Sequence, residues 1–177
     1  MNKLIGLIAL AFAALTGAAQ AATAQDAAAY CVKTGGTVQT RIPEYGTNNA
    51  NPLVLSGKKQ FCQYTAKDDS RINLLLTTLD AKQPSLAALA YYSKTPIGSC
   101  SGNPGSCYCT LLGGTDLFGG INAAGGGWVL ESDPTDVLEA CIFPDMSSID
   151  SWGLAYHSAD IIRGKNLEKV LRYKNPN

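Results

Sequence analysis

An eight-residue segment of this chain occurs twice. Tyr30-Cys31-Val32-Lys33-Thr34-Gly35-Gly36-Thr37 returns as Tyr108-Cys109-Thr110-Leu111-Leu112-Gly113-Gly114-Thr115, with five of eight positions identical at an offset of 78. Downstream, Cys62-Gln63-Tyr64 is answered by Cys141-Ile142-Phe143 at an offset of 79. Leu89, Tyr91, Lys94 and Pro96 find looser echoes in Leu171, Tyr173, Lys174 and Pro176. Self-similarity at a fixed spacing constrains a fold more than any local propensity does. We therefore expect two related units, at 22–98 and 108–177, joined by a junction at 99–107.

The first residues read as an export signal. Lys3 supplies the positive start, Leu4 to Leu15 an apolar run of twelve residues, and Ala19-Gln20-Ala21 a small-residue cleavage site. The run is too short for a full bilayer crossing. Cleavage after Ala21 leaves 177 − 21 = 156 residues. Their net charge is 13 − 14 = −1 once Lys3 is gone. That balance offers neither a nucleic-acid footprint nor a polybasic membrane patch. No other stretch is apolar enough for stable membrane insertion. The expected location is the periplasm or the exterior, and the expected partner an envelope or extracellular protein or ligand.

Each unit is small enough that one hydrophobic core leaves little surplus stability, so covalent staples are expected. Six cysteines follow the signal: Cys31, Cys62, Cys100, Cys107, Cys109 and Cys141. Six allow 15 connectivities. The repeat makes Cys31 and Cys62 the equivalents of Cys109 and Cys141, and the simplest scheme bonds each pair within its own unit. Cys100 and Cys107, which flank the turn-rich Ser101–Ser106 segment, then close a small junction loop. Each intra-unit bridge closes a loop of about 31 residues, worth roughly 3–4 kcal/mol in the chain-entropy model. A metal site on Cys107-Tyr108-Cys109 is disfavoured by the spacing and by the single histidine. No Cys-x-x-Cys suggests redox chemistry.

Local patterns give each unit a helix, about three antiparallel strands and a second helix, an α+β architecture. Asp26 can cap a helix through Lys33, ended by Gly35; Pro104 and Gly113 do the same in the second unit. Thr37–Ile42, Leu53–Leu55 and Gln60–Tyr64 read as strands, as do Trp128–Leu130 and Leu138–Phe143. Ile72, Leu75, Leu76 and Leu79 fall on one helical face. A further helix restarts at Pro84 and carries Leu86, Leu89 and Ala90. In the second unit Ile149, Trp152, Leu154 and Tyr156 precede Leu167, Val170 and Leu171.

These motifs resemble a small exported bacterial domain, the domain-of-unknown-function family 333, labelled hemolysin-like. Its pattern begins Tyr-Cys-x-x-x-Gly-Gly and continues Cys-x-Phe-Pro-Asp-Gly-Ser-x-Cys-x-x-Trp. The second stretch stands here as Cys141-Ile142-Phe143-Pro144-Asp145-Met146-Ser147-Ser148-Ile149-Asp150-Ser151-Trp152. Met146 replaces the family glycine and Ile149 a family cysteine; Ala159 stands near a later one. Copy one has Ser70 and Asp80 at the corresponding spacings. Joint loss of these two cysteines implies that they were bonded to each other, which agrees with the pairing above. The family brings no established mechanism.

No catalytic constellation emerges, and no catalytic residue, cofactor or metal is assigned. His157, the only histidine, lacks a recognised nucleophile motif beside it. Asp145 fits a Pro-Asp turn and Asp150 the first turn of a helix. A hydrolase would have to use these three. Gly119–Gly127 lacks the Lys and Ser/Thr of a phosphate loop. Trp128, Trp152, Tyr91 and Tyr92 are read as core or interface. The preferred reading is a non-enzymatic binding module, with the glycine-rich and junction loops as its first candidate surfaces. The alternatives are the hydrolase and a membrane-active protein.

Overall fold

The computed structural model describes residues 24–116 and 124–176. The expected export signal at 1–21 and residues 117–123 of the glycine-rich stretch lie outside the described residues. Helix α1 covers 24–33, so it has begun before the expected cap at Asp26. The remaining helices are α2 (Leu76–Asp80), α3 (Leu86–Ser93), α4 (Pro104–Leu111) and α5 (Ser151–Ser158). A 3₁₀ turn covers Leu167–Lys169. The strands are β1 (Thr37–Tyr45), β2 (Leu53–Val54), β3 (Lys59–Thr65), β4 (Arg71–Leu75), β5 (Gly126–Leu130), β6 (Asp133–Leu138), β7 (Ala140–Ile142) and β8 (Ser148–Asp150). No helix among the described residues is long and apolar enough to cross a membrane.

All strand pairs are antiparallel, in the order β6-β5-β1-β3-β4-β8-β7, with β2 added beside β1. Strands β6 and β7 thus stand at opposite ends. Six steps of about 4.8 Å would part them by roughly 29 Å in a flat sheet. Yet only Glu139 lies between Leu138 and Ala140, and two residues of chain reach about 7 Å. The sheet therefore has to curl until its ends meet.

The curl gives each strand an outer and an inner face. Outward, Cys62 and Tyr64 of β3, Ile72 and Leu74 of β4, Cys141 of β7 and Ile149 of β8 join the main core. Ala27 and Cys31 of α1, Ala87, Ala88 and Tyr91 of α3, Tyr108 and Cys109 of α4 and Leu154 of α5 cover them. Inward, Phe61, Leu75, Trp128, Leu138 and Ala140 form a smaller cluster. The same face also carries Gln39, Arg41, Gln63, Arg71, Asn73, Asp136 and Asp150, and the candidate site lies among them.

The disulfides are Cys31–Cys62, Cys100–Cys107 and Cys109–Cys141, with Cα–Cα distances of 5.8, 5.8 and 5.5 Å. These are the pairs of the simplest scheme. The repeated Gly-Gly has a steric basis. Gly35 and Gly113 turn the chain out of α1 and α4 with φ of 87° and 81°, in the left-handed region where glycine is unstrained. At Gly36 a Cβ would stand 2.4 Å from Cys62 Sγ, and at Gly114 one would stand 2.4 Å from Cys141 Sγ. The second glycine of each pair makes room for the disulfide behind it.

The hairpin corners match as well. Ser70 N donates to Asp68 Oδ1 at 3.1 Å and Ser70 Oγ at 2.7 Å; Ser147 N and Oγ donate to Asp145 Oδ1 at 3.0 and 2.5 Å. Asp69 and Met146 follow those aspartates with φ of 62° and 63°. Met146 therefore occupies a left-handed position that non-glycine residues adopt uncommonly.

Four expectations are corrected. The strands of 22–98 and 108–177, expected as two units, do not stay apart: Leu74 pairs with Ile149 and merges both hairpins into one curled sheet. Ile72 and Leu75 lie on a strand, not a helix. Arg71–Leu75 has strands on both sides, and its apolar run mimics helical spacing because four consecutive residues are buried. Helix α3 forms but turns its other face inward: Leu86 and Leu89 are exposed, while Ala87, Ala88, Ala90 and Tyr91 are buried. The expected strand Leu138–Phe143 is broken at Glu139, where β6 passes into β7.

Substituting Gly36→Ala or Gly114→Ala is expected to block one disulfide. Thiol titration of the denatured variant should find two thiols where the parent has none, with stability reduced by about 3 kcal/mol.

Candidate functional site

Arginine is the least expected side chain inside a sheet, yet Arg41 on β1 is completely buried. Its site is built to satisfy all of its donors. Nη1 donates to the carbonyls of Trp128 (2.9 Å) and Asp136 (3.1 Å). Nε and one Nη2 bond reach Gln39 Oε1 at 3.0 and 2.7 Å. Nη2 also reaches Asp136 Oδ1 at 3.0 Å. Burial pulls the Arg41 guanidinium below its ordinary value, and the Asp136 carboxylate opposes that. The other carboxylate oxygen of Asp136 accepts from Arg71 Nη1 of β4 at 2.9 Å. Asp136 thereby clamps β6 to β1 and to β4 across the inside of the curl.

A second polar row runs along the inner face from β3 to β8. Gln63 Nε2 donates to Asn73 Oδ1 at 3.2 Å, and Asn73 Nδ2 donates to Asp150 Oδ2 at 3.3 Å. Asp150 Oδ1 meanwhile accepts from Gly153 N at 2.8 Å and caps α5. Burial pushes the Asp150 carboxyl up; the bonds from Gly153 and Asn73 and the nearby Arg163 charge act the other way.

Between the clamp and this row lies a cleft of about 210 Å³. Arg71, Asn73 and Asp150 form one wall; Asp136, Val137, Leu138 and Glu139 form the facing wall. Trp152 and Arg163 complete it. Glu139 is fixed by Trp152 Nε1 at 3.0 Å and by Asn103 Nδ2 at 3.2 and 3.0 Å to its two oxygens. Asn103 also caps α4, with Oδ1 accepting from Gly105 N and Ser106 N. Arg163 lies with its guanidinium carbon 5.0 Å from the centre of the Tyr156 ring, and its Nε is buried without a hydrogen-bond partner.

The three residues that a hydrolase would need are not brought together in this cleft. Only Asp150 lines it. Asp145 organises the β7–β8 corner and donates no chemistry to the cleft: Oδ2 accepts from Leu86 N at 2.7 Å while Oδ1 holds Ser147. Although burial pushes the Asp145 carboxyl up, the bonds from Ser147 and Leu86 prevail and hold it below the ordinary range. His157 is buried and stacked on Tyr91, with ring centres 3.7 Å apart. Burial holds the His157 imidazole below its ordinary value, despite Glu168 Oε1 at 3.5 Å from Nε2. Burial also pushes the Tyr91 phenol up to about 12. Of the four singled-out aromatics, Trp128 and Tyr91 are buried, Tyr92 meets Tyr173 edge-on, and Trp152 reaches the cleft. Among the described residues, no group of three His, Cys, Asp or Glu side chains is placed to hold a metal.

Sequence reading missed Arg41, Arg71, Asp136, Glu139 and Arg163. The available signal was Arg41, a lone charge amid β-branched residues in an expected strand. Its partner Asp136 lies 95 residues away and carries no motif.

The His157 shift has a defined sign. The unfolded chain takes up this proton near the ordinary histidine value and the native chain only at lower pH, so stability is present above about pH 6.5 and falls as pH drops below it. The groups around the ring are Tyr91, Glu168, Lys94 and Asp160, the last two paired at 2.8 Å. His157→Phe keeps the stack and removes the titration. Melting temperatures across pH 5–7.5 should show a flatter acid limb for the variant, a difference that Asp150, unchanged in both, cannot supply. Comparison with protein-family models, with curated proteins and with solved structures gave no match.

Proposed function

We propose that this protein is an exported, non-enzymatic binding module of the cell envelope, and that the concave cleft is where it binds. The observation that carries this reading is the cleft itself. Its polar walls are held by neighbouring side chains before any ligand arrives, so little ordering remains to be done on binding. Two of the three candidate acid–base residues, by contrast, are committed elsewhere: Asp145 to a turn, His157 to the core. Three disulfides suit an oxidising compartment. The cleft replaces the glycine-rich and junction loops as the first surface to test, although the junction contributes Asn103, which fixes Glu139.

We further infer a tandem duplication whose two halves share one sheet. The equivalent disulfides, Gly-Gly exits and Asp-x-Ser corners support it. The corner residues Asp68 and Asp145 differ by 77 in number, and at that offset Asn73 corresponds to Asp150. Leu74 pairs with Ile149, which sets Asn73 opposite Asp150. The two equivalents thus meet where a local two-fold axis would pass, an arrangement natural to paired like units.

The binding reading is tested by affinity capture from envelope extract and culture medium of the source organism. Oxidised protein should recover a specific, saturable component, and reduced protein should not. Recovery of nothing, or equal recovery by the reduced protein, overturns the reading.

A further inference from the structure

Asp136 and Glu139 leave their acceptor strength largely used within the protein. Asp136 divides its carboxylate between Arg41 and Arg71, and Glu139 is held by Trp152 and Asn103. Arg163 differs. Among the described residues it forms no ion pair with a carboxylate, its Nε is buried and unbonded, and its guanidinium carbon lies 5.0 Å from the centre of the Tyr156 ring. A half-buried, planar guanidinium with an unbonded Nε is matched by an oxyanion with two oxygens. Arg71 also lines the cleft, with half of its side chain exposed, so one of its guanidinium edges remains available.

The charges also limit the ligand. Arg41, Arg71 and Arg163 stand against Asp136, Glu139 and Asp150, three charges of each sign, so the site has no surplus with which to match a multiply charged anion. A singly charged or zwitterionic ligand disturbs that balance least. Beside the arginines, Asp150 accepts from Asn73 on one oxygen and from Gly153 on the other, and a carboxylate oxygen has room for a second donor, here one on the same ligand. The cleft volume of about 210 Å³ is below the roughly 300–1,000 Å³ of sites for drug-sized molecules. A single amino acid or monosaccharide fits that scale.

Resting on the cleft reading above, we propose that the cleft binds a small monocarboxylate bearing an adjacent hydroxyl or ammonium group. Arg163 and Arg71 take the carboxylate; Asp150 takes the neighbouring donor. A free amino acid and an acidic sugar share this chemistry.

Calorimetric titration of the oxidised protein separates the sources and tests the class. The probes are glucuronate against glucose, serine against serinamide, and inorganic phosphate. Glucuronate or serine should bind with a Kd of about 1 mM or tighter, at least about tenfold tighter than its carboxylate-free counterpart and than phosphate. Which of the two binds names the source. Arg163→Gln should weaken binding by about tenfold or more, with Arg163→Lys intermediate because it keeps charge but loses the fork. Binding should also shift the Trp152 indole N–H resonance, which loss of stability alone would not do. Retained disulfides and melting temperature verify that the variants fold. Equal binding of glucose, preferred binding of phosphate, no binding of either acid at about 10 mM, or an unaffected Arg163→Gln overturns the proposal. If envelope capture still succeeds in that case, only the ligand class is lost. If capture fails too, the binding reading falls with it.

Discussion

One residue, Glu139, joins the strands at the two ends of the sheet, and the remaining architecture follows from that short connection. A sheet of this width has to bend through most of a turn to bring Leu138 and Ala140 together. Bending creates an inside too narrow for helices, while the outer face takes the helices and most of the apolar side chains. The inner face holds a small aromatic-rich cluster and a polar network. Asp136 does for the inside what the hydrophobic core does for the outside: it ties β6 to β1 through Arg41 and to β4 through Arg71. A buried arginine is tolerated because every donor has a partner, and it would be costly with any one of them removed.

The disulfides act at a different level. Two of them pin the exits of α1 and α4 to β3 and β7, which lie on either side of the central β4–β8 pair. The third closes the turn ahead of α4, whose cap Asn103 is also a donor to Glu139. The covalent frame therefore reaches the cleft through one side chain. That explains how a short chain with a modest core can hold polar groups at fixed positions.

Much of the frame was legible in the sequence, and little of the site was. The repeated Tyr-Cys and Gly-Gly indicated the disulfides, because cysteine spacing and a glycine without room for a Cβ leave marks in a linear pattern. The helix restart before Leu86 and the Pro104 entry were legible for the same local reasons. The face of α3 was not, since Leu86 and Leu89 are exposed and alanines pack inward. Arg71–Leu75 misled because a strand buried on both faces loses its alternation. Joining the two hairpins into one sheet depends on a few pairings between distant segments, which local propensity does not encode. The cleft was invisible for a related reason: Arg41, Arg71, Asp136 and Arg163 are ordinary charged residues until the curl brings them together.

Hydrogen–deuterium exchange of the oxidised parent and of its Asp136→Asn variant tests the central claim most directly. The account predicts that removing the clamp's charge raises exchange first at β6 amides and along Arg71–Leu75, with α1 and its disulfide-linked strand β3 retaining more of their protection. Unchanged protection in β6 and β4, or a uniform loss across the whole chain, would contradict a local clamp that holds the curled sheet closed around its cleft.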